Sequence, residues 1–434
     1  MAPAKALGKK AKKDTDRNST SKRAQGIGHR SPFSDEKLRG GDAQEAPTIP
    51  LELQQLLINV FKDSLSNQIG VHLSSLIQEV KQHLFNRDFD KAFGSQKYLG
   101  AYAIRWSPSR ALAYLDIFIN LPDLRHSFIR RANLATRSAG TLVKHSGSNS
   151  SRPPDAQADN AGISLGPDLQ ASSDDGEACK VVCLGGGAGA EIVALAGYAH
   201  HLRSTLGPDK SMEERASTDV DRTSNDWSVR KFILTTVDIA DWSQVVHDLY
   251  QGVTEPLHLS QFASSAAKAA NKPLVAAEDF SCAFHQQDLL ELDVENLAHI
   301  VKDATMVTIM FTLNELYSVS MAKTTNFLLA LTFLLETGTL LLVVDSPGSY
   351  STVAVGSSGA TSPGATGKKY PMQWLLDHTL LEASSIGSSK TASEGGQWEK
   401  LLSEDSRWFR VPEGLEYPVT LENMRYQVHL YRRK

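Results

Sequence analysis

Val181-Val182-Cys183-Leu184-Gly185-Gly186-Gly187-Ala188-Gly189-Ala190-Glu191 decides the fold. Its apolar first half, Lys180–Leu184, reads as a buried strand. The stretch from Glu191 to Leu202 has the spacing of an amphipathic helix. The glycines between them permit a tight turn with no side chain standing between backbone and ligand. The helix that follows offers unpaired N–H groups and a positive dipole end, which suit a carboxylate or a phosphate. Gly185, Gly187 and Ala190 also satisfy the dinucleotide pattern Gly-x-Gly-x-x-Gly/Ala.

The same rhythm repeats downstream. Phe232–Val237, Ala283–Gln286, Met306–Phe311 and Thr339–Val344 read as strands. Trp242–Tyr250, Leu257–Ala270 and Thr324–Glu336 read as helices. Arg407–Val411 and Tyr426–Tyr431 close the chain as a hairpin. Strands alternating with helices predict an α/β fold over residues 179–434, with a Rossmann-like, largely parallel sheet. Upstream, residues 49–144 predict a helical module. Leu53, Leu56, Leu57, Val60 and Phe61 mark one helix; Leu73, Leu76, Ile77, Val80 and Leu84 mark a second. A third runs through Phe89–Leu99. A fourth is expected to start at Pro108, with Ser107 as its cap, and to continue through Ala111–Ile119. Ser/Gly-rich tracts at 145–178, 203–229, 351–367 and 384–397 read as a linker and surface insertions, where added length costs little stability.

The chain has 434 residues and a net charge of −4, unevenly spread. Residues 1–30 hold nine Lys/Arg against two Asp, so the rest of the chain is clearly acidic. Residues 1–48 read as a disordered basic tail, a nucleic-acid contact or an import signal around Lys9–Lys13, or simply a solvated segment. Three cysteines (Cys179, Cys183, Cys282) make neither a metal-site pair nor a disulfide framework and suit a reducing compartment. The apolar stretches Phe327–Leu335 and Leu340–Val344 fall short of the roughly 20 residues a bilayer span needs. Neither a membrane span nor a metal site is expected.

Two acids follow the glycine loop in order. Asp238, with Ile239 after it, ends the second strand, where a carboxylate can accept ribose hydroxyls. Asp288, followed by Leu289, stands just past the third strand, placed to meet an adenine amino group. Together with Gly185, Gly186, Gly187, Gly189 and Glu191 they favour S-adenosyl-L-methionine over a nicotinamide nucleotide. The closing hairpin fits the same choice. The fourth strand runs into Phe311-Thr312-Leu313-Asn314-Glu315-Leu316-Tyr317. Asn314 and Glu315 are the candidate catalytic pair, one to orient an acceptor and the other to take a proton. Asp345, ending the fifth strand, would orient its loop.

Leu184–Glu191, Asp238-Ile239-Ala240-Asp241-Trp242, Thr312–Tyr317 and the stretch Tyr98–Ala111 together resemble the fungal methyltransferases that make N3-methyluridine in large-subunit ribosomal RNA. The resemblance covers roughly residues 50–434 outside the insertions. It implies S-adenosyl-L-methionine, a uridine acceptor, ribosomal RNA or a pre-ribosomal particle as partner, and a nuclear, nucleolar setting. One departure stands out: the acid common two residues before the first glycine is Cys183 here. N3 of uridine carries a proton that must leave, and Glu315 is the first candidate to receive it, with Asn314 and Tyr317 positioning the base. Carbon-5 chemistry is disfavoured, because no cysteine thiol sits at the end of the fourth strand. Tyr98, Tyr102, Arg105, Trp106 and Arg110 form an aromatic–basic mix that could hold RNA. Tyr102 and Trp106, four residues apart, could equally pack in a core. Arg125, Arg130, Arg131, Arg137 and Lys144 form a second basic run, equally explained as a solvated face. The residues alone leave open a protein or small-molecule methyltransferase, or a non-catalytic binding protein of this fold.

Overall fold

The computed structural model describes residues 49–131, 163–165, 178–206, 227–257, 259, 261–348, 352–355, 368–383 and 396–434. The basic tail, Arg137 and Lys144 lie outside the described residues. Five helices come first: α1 (Leu51–Ser64), α2 (Leu73–Phe85), α3 (Phe89–Ala92), α4 (Gln96–Ile119) and α5 (Pro122–Phe128). Strands β1 (Ile129–Arg131), β2 (Ile163–Leu165) and β3 (Ala178–Leu184) lead into α6 (Ala190–Leu206). Then follow β4 (Trp227–Val229), β5 (Lys231–Asp238), α7 (Ser243–Thr254), α8 (Ser265–Ala270), β6 (Phe280–Gln286) and α9 (Val294–Val301). The chain continues with β7 (Ala304–Met310), α10 (Leu313–Val319), α11 (Met321–Leu334), β8 (Leu340–Asp345), β9 (Thr352–Val355) and β10 (Lys368–Pro371). It ends with α12 (Met372–Asp377), β11 (Trp398–Phe409) and β12 (Met424–Arg433).

Eight strands form the main sheet in the order β11-β12-β8-β7-β3-β5-β6-β2. The five strands β6, β5, β3, β7 and β8 run parallel. β12 returns antiparallel to β8 and β11 antiparallel to β12, the hairpin expected from the sequence. This is the Rossmann-like sheet expected from the sequence. β3 pairs with β5 on one side and β7 on the other, so the strand order reverses there. Ligands of such sheets bind outside the carboxyl ends of the strands at that switch point.

Both faces of the sheet are covered, which is why β8 (LLLVVD) is buried along its whole length. One core joins α1, α2, α4, α6 and α7 to the sheet through Leu57, Phe61, Leu112, Ile192, Leu195 and Val246. The other lies under α9, α10, α11 and α12, around Leu297, Leu313, Leu328, Leu331 and Leu376. Each fully buried side chain of this size contributes about 1.5–3 kcal/mol. The helices before residue 120 therefore share a core with the sheet. At Gly197 of α6 an added Cβ would meet both Leu57 methyls at 3.0 Å, so α1 and α6 approach closely there.

Several expectations needed correction. The tract 145–178 contains β2, which pairs antiparallel with β6 at the sheet edge. The tract 203–229 supplies β4, paired with β1, and 351–367 supplies β9, paired with β10. Among the described residues of Leu257–Ala270, Ser265–Ala270 is the helical part, and the Asn271 amide donates to the Leu257 carbonyl at 2.7 Å.

The largest correction is at Pro108. The expected third helix is only Phe89–Ala92, and α4 runs unbroken through Pro108 to Ile119. Proline has no N–H for the carbonyl four residues back. That carbonyl, Ile104, instead accepts the Tyr417 hydroxyl at 3.0 Å. Arg105 bonds the Thr420 carbonyl and pairs with Glu422, and the Ser109 hydroxyl accepts the Glu422 N–H at 3.0 Å. The segment between the last two strands thus splints the helix. Ser107, expected as a cap, donates instead to the Ala188 carbonyl of the glycine loop at 2.7 Å. Tyr417→Phe should cost about 1 kcal/mol in denaturant unfolding, since it strands a carbonyl. Pro108→Ala should suppress most of that loss by supplying a new N–H. Additive effects of the two changes would show that Tyr417 is not the splint.

Candidate active site

A cavity of about 1150 Å³ opens at the carboxyl ends of the central strands. That exceeds the usual 300–1000 Å³ of a small-molecule pocket and leaves space for two reactants. Its floor is Gly185, Ala188, Asp238, Ile239, Asp288 and Leu289, then Phe311, Thr312, Asn314, Glu315, Asp345 and Ser346. Every strand-end acid singled out in the sequence therefore faces one space.

Gly185 adopts φ +82°, a region other residues enter at a cost, and donates to the Val237 carbonyl at 2.7 Å. A Cβ there would meet the Thr312 hydroxyl at 2.1 Å. Gly187 donates to the Asp238 carboxylate at 3.1 Å, and a Cβ on it would meet the Trp242 ring at 2.1 Å. Gly186 and Gly189 pack in the same way against Cys183 and Leu249. Of the four glycines only Gly185 lines the cavity; the others shape the loop from behind.

Asp238 takes a second bond from the Ala240 N–H at 3.2 Å, yet burial pushes its carboxyl up to about 6. Asp288 is half-buried and accepts the Leu290 N–H at 2.9 Å. Ile239 is 63% exposed, an apolar side chain uncovered at the cavity wall.

Across the floor, Asp345 is 2% exposed and accepts three N–H groups. These are the Asn314 backbone at 3.0 Å, the Asn314 amide at 2.8 Å and the Ser346 backbone at 2.7 Å. A carboxylate only accepts, so the Asn314 amide must turn its nitrogen to Asp345 and its oxygen away. That oxygen is buried and has no partner among the described residues, as is Oε2 of Glu315. Burial raises the Glu315 carboxyl, with Arg87 opposing. Each such buried acceptor is costly unless a donor arrives.

Tyr317, Glu191, Trp106, Arg105 and Tyr98 do not line the cavity. Tyr317 is buried in the core behind α10 and does not line the cavity. Glu191 is 3% exposed beneath the loop, its Oε1 without a partner. Burial pushes its carboxyl up to about 7, with Arg110 opposing. The tilted rings of Tyr102 and Trp106, 4.8 Å apart, join Phe93 and Trp242 in an aromatic cluster that accounts for Trp106, while Tyr102 also reaches the cavity. Arg105 is spent on Glu422, and Tyr98 bonds Glu79.

The roof was not legible in the sequence. Arg87, Phe93, Ser95, Gln96, Tyr102 and Arg110 come down from α2–α4 to close the cavity. Arg110 donates to the Tyr102 hydroxyl at 2.7 Å and lies 4.8 Å over the Phe311 ring. Phe311 itself holds φ +56°, an uncommon backbone state that recurs at functional sites. An arginine inside an otherwise apolar helical run was the available signal.

A profile of S-adenosylmethionine-dependent methyltransferases matches residues 58–432. The chain belongs to this methyltransferase family. A curated relative from Saccharomyces cerevisiae, 25S rRNA (uridine(2843)-N(3))-methyltransferase, is 29% identical over 362 residues, 83% of this chain and 78% of that protein. Among solved structures, a Methanosarcina mazei S-adenosylmethionine-dependent methyltransferase is 11% identical, with a TM-score of 0.27 over 59% of this chain and 93% of that one. The 16S rRNA (adenine(1408)-N(1))-methyltransferase of Catenulisporales acidiphilia is 10% identical, with a TM-score of 0.28 over 62% and 98%. The methyltransferase uses S-adenosyl-L-methionine. The cavity suits that donor in volume, in its acids for hydroxyl and amine groups, and in its cation. Among the described residues no helix is long and apolar enough to cross a membrane, and no cluster of His, Cys, Asp or Glu could hold a metal.

Glu191 makes the loop sensitive to pH. Its ordinary value is 4.5, and the folded value is about 7. Between these the folded state holds a proton that the unfolded chain has released. Stability from this group therefore falls as pH rises through the window. Glu191→Gln should leave stability unchanged near pH 4 and raise it by about 3 kcal/mol above pH 7. Denaturant unfolding across that range tests this; parallel curves for the two proteins would contradict it.

Proposed function

We propose that this methyltransferase acts on N3 of a uridine in large-subunit ribosomal RNA. The observation that carries the reading is that Asn314 and Glu315, each with a buried acceptor oxygen that has no partner among the described residues, both line the switch-point cavity. N3 of uracil bears a hydrogen, so it brings the donor these acceptors lack. N3 of cytosine bears a lone pair, which two acceptors repel; the same pair therefore discriminates between the pyrimidines. The likeness to the yeast 25S rRNA enzyme points the same way.

The donor supplies an electrophilic sulfonium methyl when bound. Asp238 accepts from its ribose hydroxyls, and Asp288 with Leu289 holds the adenine edge beside the apolar surface of Ile239. Arg110 receives the methionine carboxylate, at the end of the cavity nearest Gly185 and Ala188. Asn314, fixed by Asp345, orients the base from the cavity floor. Glu315 accepts the N3 proton, which frees the in-plane lone pair for the methyl, and its burial raises its basicity for the task. Arg87, facing Glu315 across the cavity, favours the ionised carboxylate needed for acceptance. The substrate is met as rRNA or as a pre-ribosomal particle, in the nucleolus, with the basic tail as import signal or RNA contact.

Glu315→Gln should lower kcat by about 10²- to 10⁴-fold while leaving donor affinity intact. In the parent the rate should climb with pH as Glu315 ionises and then level off. Full activity of the glutamine variant on an rRNA transcript would remove Glu315 from the chemistry. Nucleoside mass spectrometry of the product tests the position, and a methyl group found anywhere but N3 would sink the reading. Arg110→Met should weaken S-adenosyl-L-methionine by about 10-fold or more in calorimetry. Methylthioadenosine, which lacks the carboxylate, should bind both proteins equally; equal loss for both ligands would place Arg110 in a structural role.

A further inference from the structure

The closing hairpin carries an exposed cluster that the donor site does not use. Along β12, Met424, Tyr426, Val428 and Leu430 enter the core beneath α4, so Arg425, Gln427, His429 and Tyr431 face the opposite side. α12 covers the lower part of that side: Asp377 takes Tyr431 and Lys400, and Gln373 meets Ser403. Higher up the face is open to solvent. Trp408 is 49% exposed, and Arg410 and Arg425 are exposed with it.

The three side chains form one unit. Trp408 and Arg425 are directly opposite in the register. The Arg410 guanidinium lies 4.2 Å from the indole centre and that of Arg425 5.8 Å. Arg425 also donates to the Ser406 hydroxyl at 2.8 Å. Among the described residues neither guanidinium has a carboxylate within ion-pair reach. A guanidinium stacked on a ring still presents its N–H edge, the edge that matches a phosphate.

The cluster adjoins the catalytic cavity. Gln427 pairs with Asp345 at the carboxyl end of β8, and its amide donates to the Ser346 carbonyl at 2.7 Å; Ser346 lines the cavity. Arg425 lies two residues further out on the same face. Three strand spacings separate β11 from β7, about 14 Å. We propose that Trp408, Arg410 and Arg425 form a docking platform for single-stranded RNA flanking the target uridine. A flanking base stacks on the indole and neighbouring phosphates meet the two guanidiniums. The proposal rests on the RNA reading above. An acidic protein segment would engage the arginines alone and leave the open indole without a purpose.

Fluorescence anisotropy with a labelled oligouridine, over a salt series, tests it. The proteins are the parent, Trp408→Ala, Trp408→Phe and the double variant Arg410→Gln/Arg425→Gln, with donor affinity by calorimetry as the control for folding. Trp408→Ala should weaken RNA by about 10-fold or more, and the phenylalanine variant should recover most of that. Losing two phosphate contacts should flatten the log–log salt dependence by about 1.4. On an unmodified large-subunit rRNA transcript, KM should rise in both variants while kcat holds. Parent-like affinity and slope in all variants would overturn the platform while the parent's methylation of the transcript still stood. Loss of donor affinity in Trp408→Ala would overturn it too, by exposing a structural role. A parent that methylates no transcript removes the substrate reading and the platform together.

Discussion

The buried carboxylate of Asp345 is the constraint on which the site depends. A charge at 2% exposure is costly unless hydrogen bonds replace its water. Asp345 obtains three N–H donors, two from Asn314 and one from Ser346, and burial still pushes its carboxyl up to about 6. Those bonds lock the end of β8 to the first turn of α10. They also decide which way the Asn314 amide faces. An apolar residue at position 345 would free the amide to rotate, and the orientation of the Asn314 oxygen would be lost with it.

The helices before the sheet are part of the same construction. The roof comes from α2–α4, so the cavity exists only because α4 lies firmly on α6. Pro108 threatens that packing in the middle of a helix of 24 residues. The Tyr417 hydroxyl, Arg105–Glu422 and Ser109 repair it from a segment more than 300 residues away in sequence. Ser107 then ties the same turn of helix to the glycine loop. Helix, loop and closing hairpin thus hold one another, and a sequence change in any of them reaches the cavity.

The sheet was legible because its signals are local. Apolar runs with a period of two, a glycine loop and strand-end acids each lie within about ten residues. Asp238, Asp288, Asn314 and Glu315 share one cavity because parallel strands deliver their carboxyl ends to the same side. What stayed illegible depends on distant partners. Pro108 reads as a helix start until Tyr417 is known to serve the carbonyl it leaves free. β2 is hidden in a polar tract because an edge strand needs only one neighbour, here β6. Arg110 read as part of an aromatic–basic mix for RNA, since nothing nearby in sequence announces that Tyr102 and Phe311 will hold it at the cavity roof.

The exchange of the strand-one acid for Cys183 has a physical counterpart in the same place. Glu191, from the first turn of α6, puts its carboxyl against Gly186 and Cys183, with Oε1 3.4 Å from where a Gly186 Cβ would sit. A carboxyl is therefore kept under the loop but carried by the helix, where burial favours its neutral form. A carboxyl held by the helix moves with α6 and is opposed by Arg110 from α4. The protonation of Glu191 is thereby coupled to the packing of the roof helix on the loop. A cysteine at position 183 is compatible with this arrangement because it is small, neutral and content in a strand buried on both faces. A second carboxylate at that position would stand beside Glu191 and make two like charges share one dry pocket, so the two features belong together.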